Sequence, residues 1–228
     1  MKITAEFITS AAGAADFPDD GLPEVAIVGR SNVGKSSLIN ALLRQRVART
    51  SAAPGKTRLA NVYRVARGSA APFYLVDLPG YGYARAVRPS AGLADPAFDE
   101  VAEAAFERQP AALLLLDVRH PGLENDRAAW QWLQRSTDRT ALVGTKIDKL
   151  ARGQRIRALR ELESVFEDSV LPVSAVTGEG LDELWKLIDR LASNRNLNPR
   201  SRKPQPRSRD SRPSQPPRAA MAQPRRRR

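Results

Sequence analysis

An α/β fold, a mostly parallel sheet flanked by helices with a disordered basic tail behind it, is predicted by three observations. Short continuous apolar runs alternate with amphipathic stretches through the first 193 residues, as strands buried on both faces alternate with the helices that cover them. A glycine-rich segment ending in Gly-Lys-Ser lies directly between the first such run and the first amphipathic stretch. The charge is partitioned: of 37 basic and 25 acidic residues among 228, twelve basic and one acidic lie after residue 193, so the net charge of +12 belongs almost wholly to the tail.

Residues 1–22 read as a lead-in segment to a globular domain over 23–193. Val25 to Val28 is a short buried strand, and Lys35 to Leu43 has helical spacing. Asn61 to Ala66 and Phe73 to Val76 form a strand pair, followed by a helix at about Ala97 to Glu107. The run Ala112 to Leu116 is a strand, Glu124 to Gln134 a helix, and Thr140 to Val143 another strand. Gln154 to Phe166 and Leu181 to Leu191 close the domain as helices. No internal repeat is present. The tail, 194–228, holds seven prolines and only Leu197 and Met221 as large apolar residues, too little to offset the entropy of ordering it. It reads as an arm that tracks phosphates or as a solubilising extension; charge alone gives attraction to RNA without sequence preference.

Composition excludes several classes of chemistry. Without cysteine there is no disulfide scaffold and no thiolate zinc site, and a single histidine, His120, rules out an all-histidine centre, so any metal is held by oxygen. No apolar run approaches the roughly 18 to 20 residues of a membrane span, and Met1 to Glu6 lacks the layout of a secretory signal. A soluble cytoplasmic protein is expected.

Gly29-Arg30-Ser31-Asn32-Val33-Gly34-Lys35-Ser36-Ser37 matches the phosphate-binding loop pattern in the strand-to-helix setting that pattern requires. Its backbone N–H groups, converging at a helix N-terminus, suit phosphate oxygens. Lys35 reaches the β and γ phosphates in such a loop, and the Ser36 hydroxyl ligates Mg²⁺. Base choice is read at Thr145-Lys146-Ile147-Asp148, after an apolar strand. The Asp148 carboxylate accepts from the N1–H and exocyclic amine of guanine, whereas adenine would leave it unpaired. The Lys146 stem can lie along the base plane, and Val173-Ser174-Ala175 can offer a backbone N–H to the guanine O6; that short stretch alone is weak evidence. Asp77-Leu78-Pro79-Gly80 ends a mid-chain strand, with Asp77 placed to hold Mg²⁺ through a water and the Gly80 N–H to touch the γ-phosphate. Thr57, in Pro54-Gly55-Lys56-Thr57, is a second Mg²⁺ ligand in this reading. Alone the tetrapeptide would be a turn; in order with the other three motifs it becomes a switch.

The stretches GRSNVGKSSLIN (29–40), ARTSAAPGKT (48–57), DLPGYGYA (77–84), LLDVRH (115–120) and TKIDKL (145–150) resemble the EngB-type ribosome-biogenesis GTPases of the Era-like P-loop group, over roughly Pro23 to Leu191. The resemblance implies a cytoplasmic GTPase (G domain) that binds GTP and GDP with Mg²⁺, is needed for large ribosomal subunit assembly, and supports normal cell division and septation. Its partner would be the large subunit or its precursor, through ribosomal RNA and proteins, with the chain a monomer and no membrane involved.

Two departures from the commonest GTPase pattern bear on mechanism. Thr145 stands where Asn is usual, which predicts a looser tie to the phosphate loop and modest affinity. Tyr81 replaces the Gln that orients the attacking water in many GTPases, which predicts slow intrinsic hydrolysis. In related proteins lacking that Gln, an Asn placed like Asn32 resembles a ligand for a monovalent cation such as K⁺, which puts Asn32 beside Lys35 and Gly80 as candidates for the catalytic group; equally, Asn32 suits a turn. Arg30 and Lys56 are weaker stand-ins. Seven basic residues and no acid lie between Arg44 and Arg67 (Arg44, Arg46, Arg49, Lys56, Arg58, Arg64, Arg67), read as a ribosome-facing patch or as a solvated helix end and strand edge. Tyr81 and Tyr83 either stack on exposed bases or pack the switch. His120, Trp130, Trp132 and Trp185 are explained by ordinary packing. A P-loop kinase or ATPase, and a nucleotide-stabilised RNA-binding protein without significant turnover, are the alternatives.

Overall fold

The computed structural model describes residues 2–48, 59–81 and 96–193. It contains strands β1 (Ile3–Ala11), β2 (Glu24–Gly29), β3 (Ala60–Arg67), β4 (Phe73–Asp77), β5 (Ala111–Asp117), β6 (Thr140–Thr145) and β7 (Val170–Pro172). The helices are α1 (Lys35–Leu43), α2 (Pro96–Phe106), α3 (Glu124–Ser136), α4 (Arg152–Phe166) and α5 (Leu181–Ser193). The strands form one seven-stranded sheet in the order β1-β3-β4-β2-β5-β6-β7. Pairing is parallel from β4 through β7 and antiparallel between β1, β3 and β4.

Successive residues of β5 alternate between two cores. Ala112, Leu114 and Leu116 pack with Val101 of α2, Leu133 of α3 and Leu162 of α4. Leu113 and Leu115 face Leu38 and Leu42 of α1 and Ile188 of α5. Burial on both faces is why the strands read as unbroken apolar runs rather than as alternations. The α2 to α5 boundaries follow the apolar spacing to within two residues at each end, and α1 matches it in full.

Residues 1–22 do more than lead in. Ile3–Ala11 forms the sheet's edge, with Ile3 opposite Arg67 and Ala11 opposite Ala60, and a bulge between Phe7 and Thr9. The Arg108 guanidinium, held by the Glu24 carboxylate at 2.8 Å, reaches back to the Pro18 carbonyl and anchors the connection into β2. The proline- and arginine-rich segment 194–228 lies outside the described residues. Among the described residues no helix is long and apolar enough to cross a membrane.

Candidate functional site

The carboxyl ends of neighbouring parallel strands deliver the motifs to one edge of the sheet, where open α/β sheets bind ligands. Gly29 ends β2, Asp77 ends β4, Asp117 ends β5 and Thr145 ends β6. Gly34 is the N-cap of α1 at φ 111°, a left-handed backbone that only glycine adopts without strain. Lys35 folds back over the loop, its Nζ donating to the carbonyls of Gly29 at 2.9 Å and Arg30 at 3.3 Å. Burial lowers its ammonium to about 8, with the Asp77 carboxylate pulling the other way. Burial in turn raises Asp77 to about 6, against the attraction of Lys35. Asp77 Oδ1 is buried and accepts no hydrogen bond.

Gly80 lies against the phosphate loop. Ser31 N donates to the Tyr81 carbonyl at 3.1 Å and Ser31 Oγ to the Gly80 carbonyl at 3.2 Å. A Cβ at Gly80 would sit 2.8 Å from the Ser31 backbone, so the two segments meet only because position 80 has no side chain. The next residue decides between two readings: Tyr81 is 1 % exposed, and its hydroxyl donates to Asp126 Oδ1 of α3 at 2.8 Å. It cannot stack on an exposed base in this arrangement, and of the two readings of the aromatic pair, packing holds for Tyr81. Arg30 Nε stands 3.3 Å from the same Asp126 oxygen, committing that guanidinium to α3. Tyr83, Gly55, Lys56 and Thr57 lie outside the described residues.

At the other end of the site the polar groups are paired. Thr145 Oγ1 lies 2.8 Å from the Val33 carbonyl and 3.1 Å from that of Leu116, so the shorter Thr side chain does tie this loop to the phosphate loop, through one hydroxyl. Lys146, at φ 62°, spans the same gap: its Nζ donates to the Asn32 carbonyl and, at 3.0 Å, to Asp117 Oδ2. Asn32 also has a left-handed backbone, at φ 65°, and its side chain is exposed. The Ser174 hydroxyl, fully buried, donates to Asp148 Oδ1 at 2.7 Å and holds that carboxyl below its usual range. A cavity of about 150 Å³ opens between Gly34, Ser37, Lys146, Asp148 and Ala175. It places the carboxylate of Asp148 and the stem of Lys146 around one space the size of a ring system.

The family described as a 50S ribosome-binding GTPase matches residues 24–146. A probable GTP-binding protein EngB from Alkaliphilus metalliredigens is 38% identical over 198 residues, covering 83% of this chain and 91% of that protein. Its counterpart in Clostridioides difficile is 38% identical over 194 residues, covering 82% and 93%. The chain belongs to the EngB family of GTP-binding proteins. Solved structures share the fold of this EngB chain. Aquifex aeolicus Era with GDP·AlF4⁻ superposes with a TM-score of 0.62 at 26% identity, over 75% of this chain and 56% of that one. Era in complex with MgGDPNP and nucleotides 1506–1542 of 16S ribosomal RNA gives 0.61 at 26% identity over the same shares. The chain thus spans little more than half the length of Era. A crystal structure of a probable EngB protein shares the fold, with a TM-score of 0.55 at 21% identity over 75% and 99%.

Within this EngB chain, two site residues escape sequence reasoning. Asp117 is marked in the sequence only by the LLDVRH stretch, yet its buried carboxylate accepts from Lys146 Nζ at 3.0 Å and from the Arg119 guanidinium at 2.7 and 2.9 Å. Burial alone would raise it; the hydrogen bonds from Arg119 and Lys146 hold it far below the carboxylate range. Asp126 lies 45 residues from Tyr81, and no local spacing marks the pair. The basic span 44–67 is only partly free: Arg44, Arg46 and Arg64 are exposed, but Arg67 pairs with Asp189 at 3.2 Å and lies over the Trp185 ring. Trp130 is buried, Trp132 packs edge-on to Phe106 and Trp185 edge-on to Phe73, as ordinary packing requires; His120 is exposed.

Proposed function

We propose that this GTP-binding protein hydrolyses GTP slowly, as a switch in assembly of the large ribosomal subunit, in the cytoplasm and as a monomer, with a consequence for cell division and septation. One observation carries the reading: Asp148, oriented by Ser174, faces the same space as Lys146, which itself bridges to the phosphate loop. A carboxylate fixed this way accepts from guanine and is left unpaired by adenine. The G domain is residues 23–193, completed by the edge strand, and 194–228 is a basic arm.

In this reading the backbone of residues 29–37 cradles the phosphates and Lys35 sets its charge on the β and γ groups. Asp77 fits a divalent ion held through water, because its buried Oδ1 has no protein partner. Ser36 and Thr57 would ligate Mg²⁺ directly, and the bound ion would neutralise charge on the phosphate oxygens. Gly55, Lys56 and Thr57 with Leu78, Pro79 and Gly80 form the switch that senses the γ-phosphate, while Thr145, Ile147 and Val173 to Ala175 shape the base site. Asn32, exposed and three residues before Lys35 in the phosphate loop, is the candidate for recruiting K⁺ in place of an arginine finger.

Ribosomal action is supported by the family's description as a 50S ribosome-binding GTPase and by the RNA-bound relative Era. The burial of Tyr81, where many GTPases carry the water-orienting Gln, favours the alternative of a nucleotide-stabilised RNA-binding protein with negligible turnover. Single-turnover GTP hydrolysis with and without large-subunit particles, in K⁺ and in Na⁺, decides between them. The switch reading expects turnover that rises with particles. Rates indistinguishable from buffer in every condition leave the binding protein.

A further inference from the structure

Helix α4 carries its charge against its own macrodipole. Acids near a helix N-terminus and bases near its C-terminus are stabilising. α3 obeys, with Glu124 and Asp126 in its first turn and Arg135 in its last, and so does α5, with Asp182 and Glu183 against Arg190. α4 has no acid in its first turn and no base in its last. From Lys149 to Arg160 there are five basic residues and no acid, and Glu161, Glu163 and Glu167 follow.

Pairing within the domain does not account for the arrangement. Arg155 bonds Glu179 and Lys149 stands 3.4 Å from Asp148, but Arg152, Arg157 and Arg160 enter no ion pair among the described residues. Ala158, Leu162 and Phe166 fix the inner side of the helix. Arg152, Ile156 and Arg160, four residues apart, therefore form an exposed row about 12 Å long on the outer side, with Arg157 beside it. Gly153 adds a second irregularity: a poor helix former in the first turn, where a Cβ would meet nothing within 4 Å. Packing does not demand a glycine there, but close approach of another molecule's backbone is what it permits.

We infer that this outer face of α4 docks the phosphate backbone of RNA, an inference that rests on the ribosomal reading above. Guanidinium forks match phosphate oxygens in pairs, which favours a polyphosphate strand. A membrane surface would need the helix's apolar side, and that side is packed in the domain core. An acidic protein partner would need a buried apolar centre, and this face offers only Ile156, 44 % exposed. The surface starts beside the base site, at Lys149, so RNA bound there abuts the loop that carries Asp148.

The test uses the full chain and a triple variant, Arg152→Ala, Arg157→Ala and Arg160→Ala, loaded with a GTP analogue. Binding to large-subunit particles is measured across a salt series, with the tail variant Arg226→Ala, Arg227→Ala, Arg228→Ala as an equal change in charge. Losing three phosphate contacts on α4 should flatten the slope of log K against log salt by about 2 to 3 units. Nucleotide affinity and hydrolysis without particles should stay at the parent's level. The triple Arg→Lys variant, which keeps charge and removes the forks, should keep the slope and lose part of the affinity, and it carries the test if the alanine variant unfolds. A parent that binds particles alongside an α4 variant that binds them equally well overturns this inference and leaves the ribosomal reading standing. So does an α4 variant no weaker than the tail variant, or one that loses only binding to anionic vesicles or acidic protein. A parent that binds neither particles nor ribosomal RNA removes both.

Discussion

The two ends of the candidate nucleotide site are built on opposite electrostatic plans. At the base end every carboxylate is supplied with donors: Asp117 by Arg119 and Lys146, Asp148 by Ser174, and both are held below their usual range. At the phosphate end Lys35 and Asp77 are desolvated with only each other for charge, and both are pushed toward neutrality. The base end is thus internally hydrogen-bonded before any ligand arrives, and in the proposed reading selectivity follows from that geometry. The phosphate end carries an unfavourable burial that the charge of phosphates and a divalent ion would relieve, and binding strength is concentrated there.

Removing Lys35 breaks the comparison most severely. Lys35→Ala should weaken GDP and GTP binding about 100-fold or more, measured by calorimetric titration, because a phosphate cluster then loses its partner charge. Comparable affinity in the variant would mean the phosphate end contributes little. Asp77 gives a smaller effect with a defined sign. Its folded pKa, about 6, lies above the ordinary 3.8, so between those values the folded protein holds more protons than the unfolded chain. Stability of the nucleotide-free protein should therefore be greatest below about pH 4 with respect to this group and fall by about 3 kcal/mol as pH rises through 6. Denaturant midpoints for Asp77→Asn should lack that decline. The base end yields the smallest change: Ser174→Ala should cost about tenfold in affinity for guanine nucleotides and narrow their margin over adenine nucleotides, since Asp148 loses its orienting donor. An unchanged guanine-to-adenine ratio would assign orientation of Asp148 to Lys149 instead.

Much of this was legible in sequence because the site is local. Gly29 to Ser37, Asp77 to Gly80 and Thr145 to Asp148 are contiguous segments, each at a strand end, and apolar runs mark those strands. What escaped was either non-local or irregular. The Lys146–Asp117 and Tyr81–Asp126 contacts join residues 29 and 45 positions apart, and nothing in either neighbourhood announces a partner. Strand β1 escaped for another reason. Ile3, Ala5 and Phe7 alternate as a half-buried strand should, but the bulge shifts the register before Thr9, sets Phe7 and Ile8 side by side, and leaves both exposed.

That edge strand also sets a timetable. Its partner is not its neighbour in sequence: Ile3 pairs with Arg67, so the first strand made waits for the third. At a synthesis rate of roughly 5 to 20 residues per second, about 3 to 13 seconds separate the two residues, and β1 waits through them with a bare backbone and Ile3, Phe7 and Ile8 in water. Once β3 has arrived, the bulge bends the strand that forms the sheet's edge, and a bent edge is a poor template for another chain's strand.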